Sequence, residues 1–93
     1  MLNRYKVLIV EDSESLAAIF ASYLGDENYD IRISTTLDQA RRDWVEFAPE
    51  IVLLDLQLPD GNGLELLSAP ELNQQAVDII VMTAFGSNDI AAR

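Results

Sequence analysis

Three stretches of this chain are apolar without a break: Val7-Leu8-Ile9-Val10, Ile51-Val52-Leu53-Leu54 and Ile79-Ile80-Val81-Met82. None alternates with polar residues, so none suits a strand with one face in water. Strands of this kind are buried on both faces, as in a parallel sheet covered by helices. Each run also ends abruptly at a polar residue. Val10 is followed by Glu11-Asp12, Leu54 by Asp55 and Met82 by Thr83. Open parallel sheets bind ligands beyond the carboxyl ends of their strands, so this row of acids and a hydroxyl is a candidate site.

The segments between the runs supply the helices. Leu16, Ile19, Phe20, Tyr23 and Leu24 fall on one face of a predicted amphipathic helix that Gly25 ends. Asp30 to Ser34 alternates, with Ile31 and Ile33 on one side, which suits a short edge strand. Thr36 and Gln39 match a capping box, and Leu37, Ala40, Trp44 and Phe47 continue a second helix that Pro49 stops. Leu58 to Gly63 reads as a loop, Leu64 to Leu67 as a short helix before Pro70, and Gly86 onward as the start of another helix. Strands and helices alternate throughout, which implies parallel pairing with right-handed crossovers. The expected fold is α/β: one domain over residues 1–93, an open, doubly wound parallel sheet with helices on both faces.

Ile79 to Met82 is as apolar as the two interior strands, yet nothing after residue 83 is long enough to form a neighbour for it. The pattern therefore predicts a chain truncated at its C-terminal end, short of at least one β-α pair. It also predicts self-association through the exposed edge of the fourth strand.

Glu11 and Asp12 are expected to face Asp55 from a neighbouring strand. At about 4 Å and an effective dielectric near 20, each such pair repels by roughly 4 kcal/mol. A divalent cation reverses that sign, and carboxylate oxygens suit Mg²⁺. The chain has no histidine or cysteine, which makes zinc a poor candidate. Mg²⁺ commonly bridges carboxylates to phosphate oxygens. Asp55, alone at the tip of a buried strand, is a candidate nucleophile that forms an aspartyl-phosphate. Thr83 is placed to donate its hydroxyl to a phosphoryl oxygen. Taken singly, each residue has a plainer reading: an acid after a strand is often a cap or turn former, and a lone threonine is often without function.

The bulk properties exclude several classes. A formal charge of -10 repels phosphodiester backbones and anionic membranes, so neither nucleic acid nor a membrane is expected as a direct partner. The same acidity also serves solubility. No apolar run approaches a membrane span or a signal-peptide core, and a cytoplasmic location is expected.

The pieces Val7–Ser13, Ile51–Gly63 and Ile80–Ala84 resemble, in order and spacing, the receiver domain of bacterial two-component response regulators. The stretch Met82–Ser87 is most similar to receivers of the NtrC-type, sigma-54-dependent group. The resemblance implies a flavodoxin-like fold without its fifth strand and last helix. It implies that Asp55 accepts a phosphoryl group from a sensor histidine kinase or phosphotransfer protein. It also implies Mg²⁺ ligation by Asp12, Asp55 and the Gln57 backbone carbonyl, with Glu11 acting mainly through ordered water. Thr83 moves toward the phosphoryl group on this pattern, and Pro59 and Gly61 to Gly63 shape the adjoining loop. The sequence departs from the family in having no later strand with a lysine; Lys6 lies at the wrong end of the sheet.

Two other classes compete. Haloacid dehalogenase-type phosphohydrolases also place an Asp nucleophile after a buried strand, but they need a second acid two residues on, where this chain has Gln57. A non-signalling interaction fragment is the other alternative, with the acid pocket vestigial.

Overall fold

The computed structural model describes residues 4–25, 27–69, 72 and 76–82. Its elements are β1 (Tyr5–Val10), α1 (Glu14–Leu24), β2 (Tyr29–Ser34), α2 (Leu37–Phe47), β3 (Ile51–Asp55), the short strands β4 (Gln57–Leu58) and β5 (Gly61–Asn62), a 3-10 helix (Gly63–Ser68) and β6 (Asp78–Met82). Four strands form a parallel sheet in the order β2-β1-β3-β6. The α/β reading and the edge position of β2 agree with the sequence.

β1 is central, and its side chains serve both faces. Val7 and Ile9 pack toward α1 with Ala17, while Leu8 and Val10 pack toward α2 and the 3-10 helix with Trp44, Leu54 and Leu66. All four of these β1 residues are buried. Each contributes about 1.5–3 kcal/mol of hydrophobic stabilisation, which is why the run does not alternate. A charge at Leu8 would have no water on either side.

α2 buries Leu37, Ala40, Trp44 and Phe47, the stripe its spacing predicts. The Thr36 hydroxyl accepts from the Gln39 N–H at 3.0 Å, whereas the Gln39 side chain reaches back one residue further than a capping box, accepting from the Thr35 N–H at 3.1 Å. The helix closes on Ala48, which sits in the left-handed region at φ 52° before the buried Pro49.

α1 corrects the expected face. Its buried residue is Ala17, with Phe20, Ala21 and Leu24 packed beside it. Ile19 and Tyr23, expected inside, are 47% and 85% exposed. Apolar residues surround most of this helix, so spacing alone selects its face poorly. The small Ala17 lets the helix approach β1 closely.

The loop expected after Leu58 contains a minimal hairpin, with Gln57 paired to Asn62 and Leu58 to Gly61. The short helix after it is a 3-10 turn capped by Asn62, with Glu65 completing a capping box. The helix expected from Gly86 lies outside the described residues. On β6, Ile79, Ile80 and Val81 are 36%, 53% and 47% exposed.

Candidate metal centre

The register brings the acids together. Val10 pairs with Leu54, so the next residues, Glu11 and Asp55, emerge side by side at the carboxyl end of the sheet. Asp12 follows as β1 turns toward α1. One carboxylate oxygen from each of Glu11, Asp12 and Asp55 lies within 4.8 Å of the others. Glu11 and Asp55 are buried, and Asp12 is exposed. Together with Ser13, Leu16, Gln57, Leu58 and Pro59 they line an open cleft of about 400 Å³.

Local hydrogen bonds hold two of the three. The Ser13 N–H donates to Glu11 Oε2 at 2.9 Å, and the Ser13 hydroxyl accepts from the Leu16 N–H at 3.2 Å. Glu11 is thereby fixed to the first turn of α1. The Gln57 N–H donates to Asp55 Oδ1 at 3.2 Å. Gly63 packs directly against the Asp55 backbone: a Cβ there would lie 2.2 Å from the Asp55 carbonyl oxygen, so only glycine fits.

Electrostatics show what the cluster lacks. Burial pushes the Glu11 carboxyl up to about 7; the Ser13 N–H opposes this, and Asp12 and Asp55 add to it. Among the described residues, no arginine or lysine pairs with any of the three acids; the ion pairs are Arg32–Asp43 and Arg42–Asp38. Three oxygens at this spacing, two of them removed from water and without a cation, fit a hard divalent ion with positions left open to solvent.

The structure therefore gathers Glu11, Asp12 and Asp55 and sets Gln57 beside them. Thr83 lies outside the described residues. Sequence reading overlooked Asp60. From the turn between β4 and β5, its carboxylate accepts the Leu37 N–H at 2.8 Å and the Asp38 N–H at 3.1 Å. These bonds, the Leu37 N–H foremost, hold the Asp60 carboxyl below the usual carboxylate range. Only the turn composition around it signalled anything, because the partners lie 23 and 22 residues away.

Known proteins resemble this chain in sequence and in fold. The chain is 42% identical over 83 residues to the luminescence regulatory protein LuxO of Vibrio campbellii, covering 89% of this chain and 18% of that protein. It is 30% identical over 90 residues to the response regulator protein PilR of Pseudomonas aeruginosa, covering 97% of this chain and 20% of PilR. The chain thus spans about a fifth of these relatives. Among solved structures, the signal receiver domain of a protein described as a LuxO repressor, from Vibrio parahaemolyticus, superposes with a TM-score of 0.80 at 39% identity, over 96% of this chain and 68% of that one. The MaeR response regulator bound to beryllium trifluoride superposes with a TM-score of 0.75 at 32% identity, over 94% and 73%. The model of the response regulator receiver domain matches residues 7–93, and with the acids at the ends of β1 and β3 it shows that this chain belongs to the response regulator receiver domain family.

Proposed function

We propose that this chain is a phosphoacceptor signalling module rather than a turnover enzyme, with residues 1–93 acting as one receiver domain. The observation that carries the reading is the acid triad within 4.8 Å at one end of a parallel sheet. Asp55 is the phosphoacceptor. Its carboxylate attacks the phosphorus of a phosphohistidine on a sensor kinase or phosphotransfer protein; the P–N bond breaks and the imidazole leaves. The Gln57 N–H on Oδ1 orients that carboxylate. Asp12, Asp55 and the Gln57 carbonyl hold Mg²⁺, and buried Glu11 acts through ordered water. Bound Mg²⁺ supplies charge neutralisation between carboxylate and phosphoryl oxygens. Thr83 provides the hydroxyl that meets the phosphoryl group. The similar MaeR response regulator is bound to beryllium trifluoride, whose beryllium becomes tetrahedral like a phosphoryl phosphorus once a carboxylate oxygen coordinates it, and this supports such a site here.

The setting is a cytoplasmic phosphorelay that controls a transcriptional output, in the NtrC-type, sigma-54-dependent group. The net charge of -10 favours a cationic docking face on the kinase over direct contact with nucleic acid. No described helix is long and apolar enough to cross a membrane. Incubation with acetyl phosphate and Mg²⁺, followed by intact mass, tests the chemistry. The expected result is a gain of one phosphoryl group that Asp55→Asn abolishes; no gain in an early-quenched wild-type sample overturns it.

A second reading concerns assembly. The exposure of Ile80 and Val81 on β6 favours pairing of that edge with another copy. Light scattering after size exclusion is expected to show a dimer or larger species. A clean monomer refutes it.

A further inference from the structure

The hairpin beside the acids is tied to a helix on the far side of its own loop. All four first-turn N–H groups of α2 have acceptors. Leu37 and Asp38 donate to the Asp60 carboxylate at 2.8 and 3.1 Å, and Gln39 and Ala40 donate to the side chain and carbonyl of Thr36 at 3.0 and 2.9 Å. Half of this cap comes from Thr36, next to the helix in sequence. The other half comes from Asp60, at the tip of the hairpin.

From Asp60 the connection runs through rigid pieces. Gly61 sits at φ 149°, and a Cβ on it would lie 2.6 Å from Leu37 Cδ1, so turn and helix are in close contact. Gln57 pairs with Asn62 across the hairpin, and the Gly63 N–H donates to the Leu56 carbonyl at 2.8 Å. Gln57 in turn holds Asp55 Oδ1. Only Leu58 and Pro59 separate Asp60 from Gln57, and the strand pair of the hairpin leaves little slack.

We propose that Asp60 is a positioning residue: by clamping the hairpin to the first turn of α2, it fixes Gln57 against Asp55 and so sets the metal-facing loop. This rests on the Mg²⁺ reading given above, and the test separates the two. Coupling is reciprocal, so whatever orders the loop also holds the first turn of α2.

The test compares Asp60→Ala, Asp60→Asn and Thr36→Ala. The threonine variant removes the other half of the same cap without touching the hairpin. Amide hydrogen exchange is measured on metal-free protein at Gln57 and Gly63, and Mg²⁺ affinity is measured by titration. Asp60→Ala is expected to speed exchange at both amides and to weaken Mg²⁺ binding, each roughly fivefold. Asp60→Asn keeps one neutral acceptor and is expected to fall between. Thr36→Ala is expected to speed exchange at Gln39 alone and to leave Mg²⁺ affinity unchanged. Equal effects of Thr36→Ala and Asp60→Ala at Gln57 and Gly63 overturn the proposal, because helix stability would then explain them. No effect of either Asp60 variant overturns it too. If Asp60→Ala does not fold, Asp60→Asn decides. Failure of wild type to bind Mg²⁺ overturns the metal reading alone, since the exchange comparison is made without metal.

Discussion

Asp55→Asn is expected to make the metal-free protein more stable while removing its chemistry. Asparagine has the shape of aspartate and keeps an Oδ1 to accept the Gln57 N–H, so the change is close to removal of one charge. At 4.8 Å and an effective dielectric of about 20, two carboxylates repel by about 3.5 kcal/mol. Asp55 faces two such neighbours. Asp12 is exposed, and water screens it to about 1 kcal/mol. Glu11, with its carboxyl at about 7, is mostly ionised at pH 8 and repels Asp55 nearly in full. Residual repulsion in the unfolded chain and relaxation of the fold reduce the gain to about 2 kcal/mol at pH 8. For a domain of this size that raises Tm by on the order of 10 °C. At pH 5.5 Glu11 is protonated, and the gain shrinks to under about 1 kcal/mol. Trp44, the sole tryptophan and buried against the sheet, reports urea unfolding directly. Mg²⁺ at about one hundred times its Kd is expected to stabilise wild type by about 2.7 kcal/mol and the variant by far less. Equal stability of the two proteins at pH 8 would refute the reasoning, because the carboxylates would then not interact across the cleft.

Three further outcomes follow from individual contacts. Glu11 has a folded-state value of about 7 against an ordinary 4.5, so the metal-free fold loses stability as pH rises between those values and is level above them. Mg²⁺ needs the ionised form, so its affinity is expected to rise about tenfold from pH 6 to pH 8 in a calorimetric titration, and a flat profile counts against Glu11 facing the ion. Gly63→Ala puts a methyl 2.2 Å from the Asp55 carbonyl oxygen and 3.0 Å from Leu54 Cδ1; it is expected to cost about 1–3 kcal/mol in urea melts and to slow phosphoryl gain from acetyl phosphate. Ala48→Gly relieves a left-handed alanine at φ 52° and is expected to stabilise by about 0.5–1 kcal/mol, read as a shifted urea midpoint at constant slope.

Much of this molecule is legible in the sequence because burial on two faces leaves an unmistakable pattern. The runs at Val7 and Ile51 mark strands without alternation, and the acids that follow them gather at the candidate site. The run at Ile79 marks a strand too, but its expected burial on both faces is not met, since Ile79, Ile80 and Val81 are partly exposed. α2 is equally plain, since every residue between Leu37, Ala40, Trp44 and Phe47 except Val45 is polar. α1 is not. Its apolar residues go round the helix, so Ile19 and Tyr23 look as suited to the core as Ala17. The 3-10 turn and the hairpin are hidden for another reason. They follow from Gly63 against the Asp55 backbone and from Asp60 on α2, contacts between distant residues that leave no local period.

The parallel sheet also dictates when the site can come into being. β1 cannot meet β3 until the chain from Lys6 to Glu50, a separation of 44 residues with both helices inside it, has been drawn together. Such closures are slow, because chain entropy is lost before the distant contact is gained. Glu11 and Asp55 sit just past the last register pair, so their mutual repulsion falls on the late zipping of these strands. The acids are thus expected to slow the closing of the sheet in the absence of a cation. Refolding followed through Trp44 is expected to quicken when Mg²⁺ is present from the start, as the cation removes the barrier at the end of the zipper.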